Sequence, residues 1–128
     1  MLTVRTRLGQ SKIAGIGLFA AEPVPAGLVV WEFNPLIDLL LSEHELRSLS
    51  EPSRTQLLNY AYFDESHRKF LLCGDDARFF NHCGSPNCDE REATTTRALK
   101  AIAVGDELTV NYREFYGGLE TAPFHWLN

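Results

Sequence analysis

The stretch from Arg78 to Cys88 constrains the fold of this chain more than any other part of the sequence. It combines two adjacent aromatic residues with two asparagines, a histidine and a Pro-Asn turn. This composition is too polar for an ordinary strand and too aromatic for an ordinary loop. It predicts a buried crossing of the chain whose polar groups are hydrogen-bonded, because buried polar groups without partners are costly.

Two further motifs flank this stretch. Gly15-Ile16-Gly17 lies near the N-terminus, and a Gly-Asp-Glu-Leu-Thr-Val-Asn-Tyr sequence ends at Tyr112. In this order and spacing, across residues 13–116, the three motifs resemble the signature of SET-domain protein-lysine methyltransferases, and most of all a small stand-alone member of bacterial or viral type. A lone Gly-x-Gly is common in loops, whereas the ordered set is specific. One departure is Cys83, which stands where the family usually has serine.

The resemblance implies a single SET domain over residues 1–128, with a short tail over residues 117–128. The implied fold is mainly β (α+β): small twisted antiparallel sheets, a short helical insertion and a C-terminal pseudoknot. In such a pseudoknot the stretch 78–88 and the segment around Tyr112 thread through one another, although chains generally avoid threading. Asn81 and Tyr112 are therefore expected to lie close in space.

The residue patterns predict individual elements. Alternation predicts a strand from Leu2 to Leu8, followed by a turn over residues 9–12. Ser42 and Glu45 have the spacing of a helix-capping box, so a short helix is predicted to about Leu49, broken by Glu51-Pro52. A second helix is predicted over residues 53–62. Further strands are predicted over residues 16–21, 27–33, 36–41, 69–73, 93–98 and 107–111.

The cofactor that the resemblance implies is S-adenosylmethionine. Gly15, Ile16 and Gly17 would form a turn in which main-chain atoms approach the ligand, because a Cβ would collide there. Asn81 through its side chain and His82 through its backbone would hold the amino-acid and adenine ends. The alternative for Gly15 and Gly17 is a plain hairpin pair, and for His82 an ordinary core histidine.

Tyr112 corresponds to the family's catalytic tyrosine and also to a cofactor contact. A lysine amine, with a pKa near 10.4, is neutral in about one part in a few thousand at pH 7, and only the neutral amine is nucleophilic. Desolvation in an apolar channel and the nearby sulfonium charge would lower that pKa. Tyr112 would then orient the amine and need not act as a base. Its alternative role is that of a strand-end tyrosine packed in the core.

A substrate channel for the lysine needs further aromatic residues. Tyr60 and Tyr62 are candidates, but the usual Tyr-x-Gly of the family is absent, so the choice between them stays open. Phe115 and Tyr116, just past Tyr112, are expected to line the channel. Trp126 either covers the adenine or closes the core. Val110, Asp89 and Glu90 stand where relatives often carry aromatic residues, so the number of methyl groups transferred is not predicted.

The net charge and the hydropathy of the sequence limit which classes of partner are expected. The formal net charge of −5 argues against direct nucleic-acid binding and favours a lysine-containing protein or peptide partner. No apolar run approaches the ~20 residues that span a bilayer, and no signal-peptide core is present at the N-terminus, so an intracellular protein without membrane contact is expected. The location would be cytoplasmic, or nuclear in a eukaryotic or viral context. A homodimer that supplies a missing wall of the substrate groove is a further hypothesis.

The three cysteines, Cys73, Cys83 and Cys88, favour free thiols over a disulfide framework. Many chromatin-associated SET enzymes bind a zinc ion with one cysteine of the central motif and three beyond the catalytic tyrosine. No cysteine follows Cys88, so no metal is expected. Two rival functions remain: a non-catalytic SET-like module that binds a basic peptide or chromatin partner, and a metal or redox protein based on Cys83 and Cys88.

Overall fold

The computed structural model describes residues 1–92 and 94–112, in which short strands predominate. The strands are β1 (Thr6–Gln10), β2 (Ile16–Ala20), β3 (Val29–Glu32), β4 (Leu39–Leu41), β5 (Tyr62–Asp64), β6 (Lys69–Leu72), β7 (Asn81–His82), β8 (Cys88–Asp89), β9 (Thr95–Ala98) and β10 (Thr109–Val110). The helices are α1 (Glu43–Ser48) and α2 (Glu51–Leu58), together with a short 3-10 helix over Asp76–Phe79.

Within residues 1–92 and 94–112 the strands form four small sheets in the orders β1-β2, β10-β7, β3-β9-β8 and β4-β6-β5. In these sheets every pair of strands is antiparallel except β7 and β10, which run parallel. The parallel pair is a difference from the expected antiparallel sheets, and it requires a crossover of the intervening chain. The predicted mainly β fold with a helical insertion is otherwise confirmed, since both helices lie between β4 and β5.

One hydrophobic core joins these sheets. Its completely or almost completely buried side chains come from the central strands and from the segment before β10: Leu18, Val30, Leu71, Ile102, Leu108 and Val110. Antiparallel bridges between Val24 and Ile102 and between Phe19 and Glu107 tie the first third of the chain to its end. The core therefore holds the three sequence motifs against one another.

The N-terminal prediction was wrong in its bounds. The first regular strand is β1, and its pairing with β2 continues to Gln10 opposite Ile16, so the turn begins only at Ser11. Leu2 instead forms an isolated bridge with Trp31 of β3. Alternation correctly predicted that Val4 and Thr6 are half-buried between exposed arginines, whereas Leu8 is exposed. It could not indicate which strand each part of the segment pairs with.

The predicted capping box is confirmed. Ser42 Oγ accepts a hydrogen bond from the Glu45 N–H at 3.1 Å, and the Glu45 carboxylate accepts one from the Ser42 N–H at 2.8 Å. These bonds hold the pKa of the Glu45 carboxyl below its ordinary value. Pro52 was predicted to break the helix, but it also starts the next one, since it lies in the first turn of α2, where its missing N–H costs nothing.

Asp38 explains why the apolar segment 36–41 is not one strand. This side chain is buried and accepts hydrogen bonds from the Met1 ammonium at 2.7 Å, the Asn34 N–H at 2.9 Å and the Gly74 N–H at 3.2 Å. Residues 34–38 consequently form a turn, Leu36 is exposed, and β4 begins only at Leu39. No helix within residues 1–92 and 94–112 is long and apolar enough to cross a membrane.

Candidate active site

The loop between β1 and β2 carries the Gly-x-Gly motif. Gly15 has φ +48°, in the left-handed region that favours glycine, and a Cβ built there would meet no atom within 4 Å. Ser11 Oγ accepts hydrogen bonds from the N–H groups of Ile13 at 2.9 Å and Ala14 at 3.3 Å, which fixes the turn. The loop is therefore held in shape, and the space beside Gly15 is open.

Gly17 is required for a different reason. A Cβ on Gly17 would overlap Oε1 of Glu107, so the space that any other side chain would need at this position is filled by a protein carboxylate. This carboxylate accepts hydrogen bonds from the Ser11 hydroxyl at 3.0 Å and from the Asn81 amide at 2.9 Å. Glu107 thus joins the glycine loop to β7, a role that the sequence analysis missed.

Asn81 lies on β7 beside the glycine loop. Its side-chain amide also donates to the carbonyl oxygens of Ala14 at 3.1 Å and Ile16 at 3.3 Å, on either side of Gly15. Four of the predicted cofactor residues, at positions 15, 16, 17 and 81, are therefore brought together, although Asn81 is 67 positions from Ala14 in the sequence.

The parallel pairing of β7 with β10 brings Tyr112, the candidate catalytic residue, next to β7. Thr109 lies opposite Asn81 and Val110 opposite His82, and Tyr112 follows two residues later. The Tyr112 N–H donates to Nδ1 of His82 at 3.0 Å, and the two ring centroids are 5.3 Å apart. The prediction that Asn81 and Tyr112 lie close is confirmed. The threading of the chain beyond Tyr112 lies outside the described residues.

Asn87 stabilises the segment that leads to Tyr112 through hydrogen bonds of its side chain and main chain. Its side-chain amide donates to the Glu107 carbonyl at 2.8 Å, and its Oδ1 accepts from the Thr109 N–H at 2.9 Å. The Asn87 N–H in turn donates to the Thr109 hydroxyl at 3.2 Å. The central stretch is thus hydrogen-bonded as its composition predicted, with Asn81 facing the glycine loop and Asn87 facing the strand that leads to Tyr112.

The Tyr112 hydroxyl is hydrogen-bonded to the main chain of the central stretch. It donates to the carbonyl oxygen of Phe80 at 2.5 Å. Its pKa is raised above the ordinary value, first by burial and second by the negative charge of Glu90. The hydroxyl consequently stays protonated at neutral pH, where it can orient an amine but is not available as a phenolate base.

A cavity of about 230 Å³ lies beside Tyr112. Both candidate channel tyrosines line it together with Tyr112: Tyr60 follows α2, and Tyr62 begins β5. The guanidinium of Arg78 lies 5.5 Å from the centre of the Tyr60 ring. The rest of its lining is mostly apolar: Trp31, Leu58, Ala61, Cys73, Ala77, Phe80 and Val110, with Asn59 and Glu90 as the other polar residues. Phe115, Tyr116 and Trp126 lie outside the described residues.

The cysteines are free thiols in this structure, and Cys73 and Cys88 are buried. Burial and nearby carboxylates raise the pKa of the Cys73 thiol far above its usual range and that of Cys88 to about 12. Such thiols stay protonated and are poor nucleophiles and metal ligands. Over residues 1–92 and 94–112, no three His, Cys, Asp or Glu side chains are grouped to hold a metal ion.

Comparison with known sequences agrees with this arrangement. The chain is 31% identical over 121 residues to human "Histone-lysine N-methyltransferase SETD1A", which covers 85% of this chain and 7% of that protein. It is 28% identical over 112 residues to "Histone-lysine N-methyltransferase, H3 lysine-4 specific" of Candida albicans, which covers 81% of this chain and 11% of that protein. The chain therefore spans only a small part of the relatives that it matches.

Comparison with solved structures gives the same fold. The crystal structure of the Chaetomium thermophilum polycomb repressive complex 2 aligns with a TM-score of 0.62 and 25% identity, over 85% of this chain and 15% of that chain. The sequence model of the SET domain matches residues 15–113, which include the glycine loop, the central stretch and Tyr112. This chain belongs to the SET domain family.

Proposed function

We propose that this chain transfers a methyl group from S-adenosylmethionine to the side-chain amine of a lysine in a protein. The observation that carries the proposal is that Tyr112 lines a mostly apolar cavity and directly follows a segment paired with the strand whose Asn81 contacts the open glycine loop. A cofactor wall and an amine channel thereby meet at one residue. The relatives named above, which are histone-lysine N-methyltransferases, support the same activity.

Gly15, Ile16, Gly17, Asn81 and His82 are the residues that would hold the cofactor. The fit is supported by the open space beside Gly15, where a Cβ would meet nothing within 4 Å, and by the hydrogen bonds that fix Asn81 to this loop. When bound, S-adenosylmethionine supplies an electrophilic methyl group on a sulfonium; it leaves as S-adenosylhomocysteine, and the methylated amine gives up a proton. The residues of this chain supply position and surroundings.

Tyr112, Tyr60 and Tyr62 would act on the amine. The mostly apolar cavity that they line strips water from an entering amine, which lowers its pKa and favours the neutral, nucleophilic form. The Tyr112 hydroxyl stays protonated and retains oxygen lone pairs that accept a hydrogen bond from the amine. Phe115 and Tyr116 are proposed as further channel residues only because they follow shortly after Tyr112 in the sequence. Positioning of this kind can contribute several kcal/mol to catalysis.

The substrate is proposed to be a lysine-containing protein or peptide, in line with the histone substrates in the names of the relatives and with the net charge of −5. Those names favour the nuclear location over the cytoplasmic one.

That the chain acts as a stand-alone domain over residues 1–128, or as a homodimer, is a separate proposal. Sedimentation under assay conditions tests it, and an active species that is strictly monomeric would remove the homodimer.

The test is calorimetric titration with S-adenosylmethionine of the 128-residue chain and two variants. Asn81→Ala removes the side chain that the proposal places on the cofactor, whereas Gln56→Ala changes an exposed residue of α2. We expect micromolar binding by the wild type and by Gln56→Ala, and at least tenfold weaker binding by Asn81→Ala. Circular dichroism of each variant separates loss of binding from loss of fold.

Transfer of a radiolabelled methyl group to purified core histones tests the reaction itself. Tyr112→Phe removes only the hydroxyl, so we expect cofactor binding to persist while the rate falls about a hundredfold or more, as for other positioning and transition-state contacts. If the wild type binds basic peptides but transfers no methyl, the non-catalytic module is the correct function. If Tyr112→Phe keeps the wild-type rate, the catalytic assignment of Tyr112 is wrong.

A further inference from the structure

Glu107 is half-buried, and both oxygens of its carboxylate accept hydrogen bonds from other side chains. Its Oε1 accepts from the Asn81 amide at 2.9 Å, and its Oε2 accepts from the Ser11 hydroxyl at 3.0 Å. Among the described residues, no arginine, lysine or histidine forms an ion pair with it. The side chains that bind the Glu107 carboxylate are therefore neutral donors.

The Asn81 amide has one orientation that suits these surroundings. Its Nδ2 faces three oxygen acceptors, which are Oε1 of Glu107 and the carbonyl oxygens of Ala14 at 3.1 Å and Ile16 at 3.3 Å. A flipped amide would turn its own oxygen towards these three oxygens, none of which can donate. The bond to the carboxylate is the shortest of the three and is charge-assisted, so Glu107 contributes most to the orientation.

This orientation leaves the other end of the amide available. Within residues 1–92 and 94–112, every hydrogen bond of the Asn81 side chain is donated by Nδ2, and none is accepted by Oδ1. Hydrogen bonds in a chain polarise one another, so an amide that donates to a carboxylate becomes a stronger acceptor at its oxygen. An oxygen of this kind favours a cationic donor over a neutral one.

We propose that Glu107 is a positioning residue that orients and polarises the Asn81 amide, so that Oδ1 of Asn81 selects ligands that carry an ammonium group. The inference rests on the proposed function, because the amino-acid end of S-adenosylmethionine carries such a group. Glu107 acts through Asn81 and need not touch the ligand. Removal of its charge should therefore weaken a ligand with the ammonium group more than a ligand without it.

Calorimetric titration with S-adenosylhomocysteine and with its deamino analogue tests this, since the two ligands differ only in the α-amino group and neither has a sulfonium. We expect the wild type to bind S-adenosylhomocysteine about tenfold more tightly, as for one hydrogen bond to a charged group. Glu107→Gln keeps the size of the side chain and removes the charge, and it should reduce this preference to about threefold or less. A purely structural role would weaken both ligands equally.

Three further variants separate the charge from the fold, and circular dichroism checks each. Asp106→Asn removes the same charge from the exposed neighbouring position and keeps an acceptor for the Ala103 N–H, so the full preference is expected. Ser11→Ala removes the other partner of Glu107, and it should weaken both ligands alike. Glu107→Asp keeps the charge on a shorter side chain and should retain an intermediate preference, also if Glu107→Gln does not fold.

NMR of the protein without ligand reads the same contact directly. The side-chain amide protons of Asn81, assigned with Asn81→Ala, should show the downfield shift of a bond to a carboxylate. In Glu107→Gln this resonance should move upfield, whereas Asp106→Asn should leave it in place. An Asn81 amide resonance that is the same in Glu107→Gln and in the wild type overturns the inference.

The two proposals fail in different ways. Equal binding of both ligands by the wild type, or equal weakening of both by Glu107→Gln, overturns this inference, whether or not methyl transfer is observed. A Glu107-dependent preference for S-adenosylhomocysteine without any methyl transfer contradicts the proposed function and leaves this inference standing. If the wild type binds neither ligand, both proposals are wrong.

Discussion

The helical insertion and the motif-bearing segments are held by different kinds of hydrogen bonds. In the insertion, α1 and α2 are capped by Ser42 and Ser50, whose partners Glu45 and Ser53 are three residues away. Across the motifs, by contrast, Ser11 bonds Glu107 over 96 positions in the sequence. Leu46 is buried beneath α1, whereas α2 buries no residue completely. The insertion is locally determined, whereas the site exists only when distant segments meet.

The largest effect on stability is expected at Asn87. Asn87→Ala removes the acceptor for the Thr109 N–H and the donor to the Glu107 carbonyl, both within the partly buried crossing. Leaving such groups without partners costs about 1–3 kcal/mol each, so a loss of about 3 kcal/mol in the free energy of unfolding is expected. Urea denaturation followed by circular dichroism measures it. Asn59→Ala, at an exposed position, is the control and should stay within about 0.5 kcal/mol of wild type.

Gly17→Ala is expected to have the next largest effect. The new Cβ would overlap Oε1 of Glu107, and that carboxylate would have to leave its bonds with Ser11 and Asn81. We expect a loss of about 2 kcal/mol together with weaker cofactor binding, measured by denaturation and calorimetry. Gly84→Ala is a matched control, because its φ is not positive and a Cβ there meets nothing within 4 Å. Equal stability of the two variants would contradict the close contact.

Ser42→Ala tests the helical insertion in the same way. It removes the side-chain half of the capping box on α1, and N-cap substitutions of this kind cost about 1 kcal/mol. Because the bond is local, cofactor binding should be unchanged. A calorimetric Kd that weakens several-fold in Ser42→Ala would show that the insertion and the site are coupled more closely than the contacts indicate.

What the sequence predicted follows the same division. Ser42 and Glu45 are three residues apart, so their box could be inferred without any tertiary structure, and it is confirmed. The segment 36–41 failed as a single strand because Asp38 binds the Met1 ammonium and Gly74, and no local pattern indicates such partners. Pro52 was interpreted only as a helix breaker, although its place after Ser50 favours a helix start as well.

The site residues also divide into those identified from sequence motifs and those whose contacts appear only in the structure. Gly15, Asn81, His82 and Tyr112 were found through the resemblance of their motifs, and the structure places them together. Glu107 stands in one of the same motifs, but its contact with Gly17 and Asn81 is a tertiary feature that spacing does not reveal. Glu90 was noted only as a departure from aromatic residues. Its place in the lining of the cavity beside Tyr112, together with Trp31 of β3 and Tyr62 of β5, depends on strands that are distant in sequence.

The Glu107 carboxylate also sets the order in which the protein can mature during synthesis. The glycine loop leaves the ribosome first, yet its partners Asn81 and Glu107 are 67 and 96 positions later than Ala14 and Ser11. Contacts of such long range form slowly, since the loop-closure entropy must be overcome first. Pulse-labelled hydrogen exchange should therefore find the amides of Ala20 and Leu108, which donate to the carbonyl oxygens of Asp106 and Leu18, protected among the last. A nascent chain completes these contacts only after the segment around Glu107 has left the ribosome.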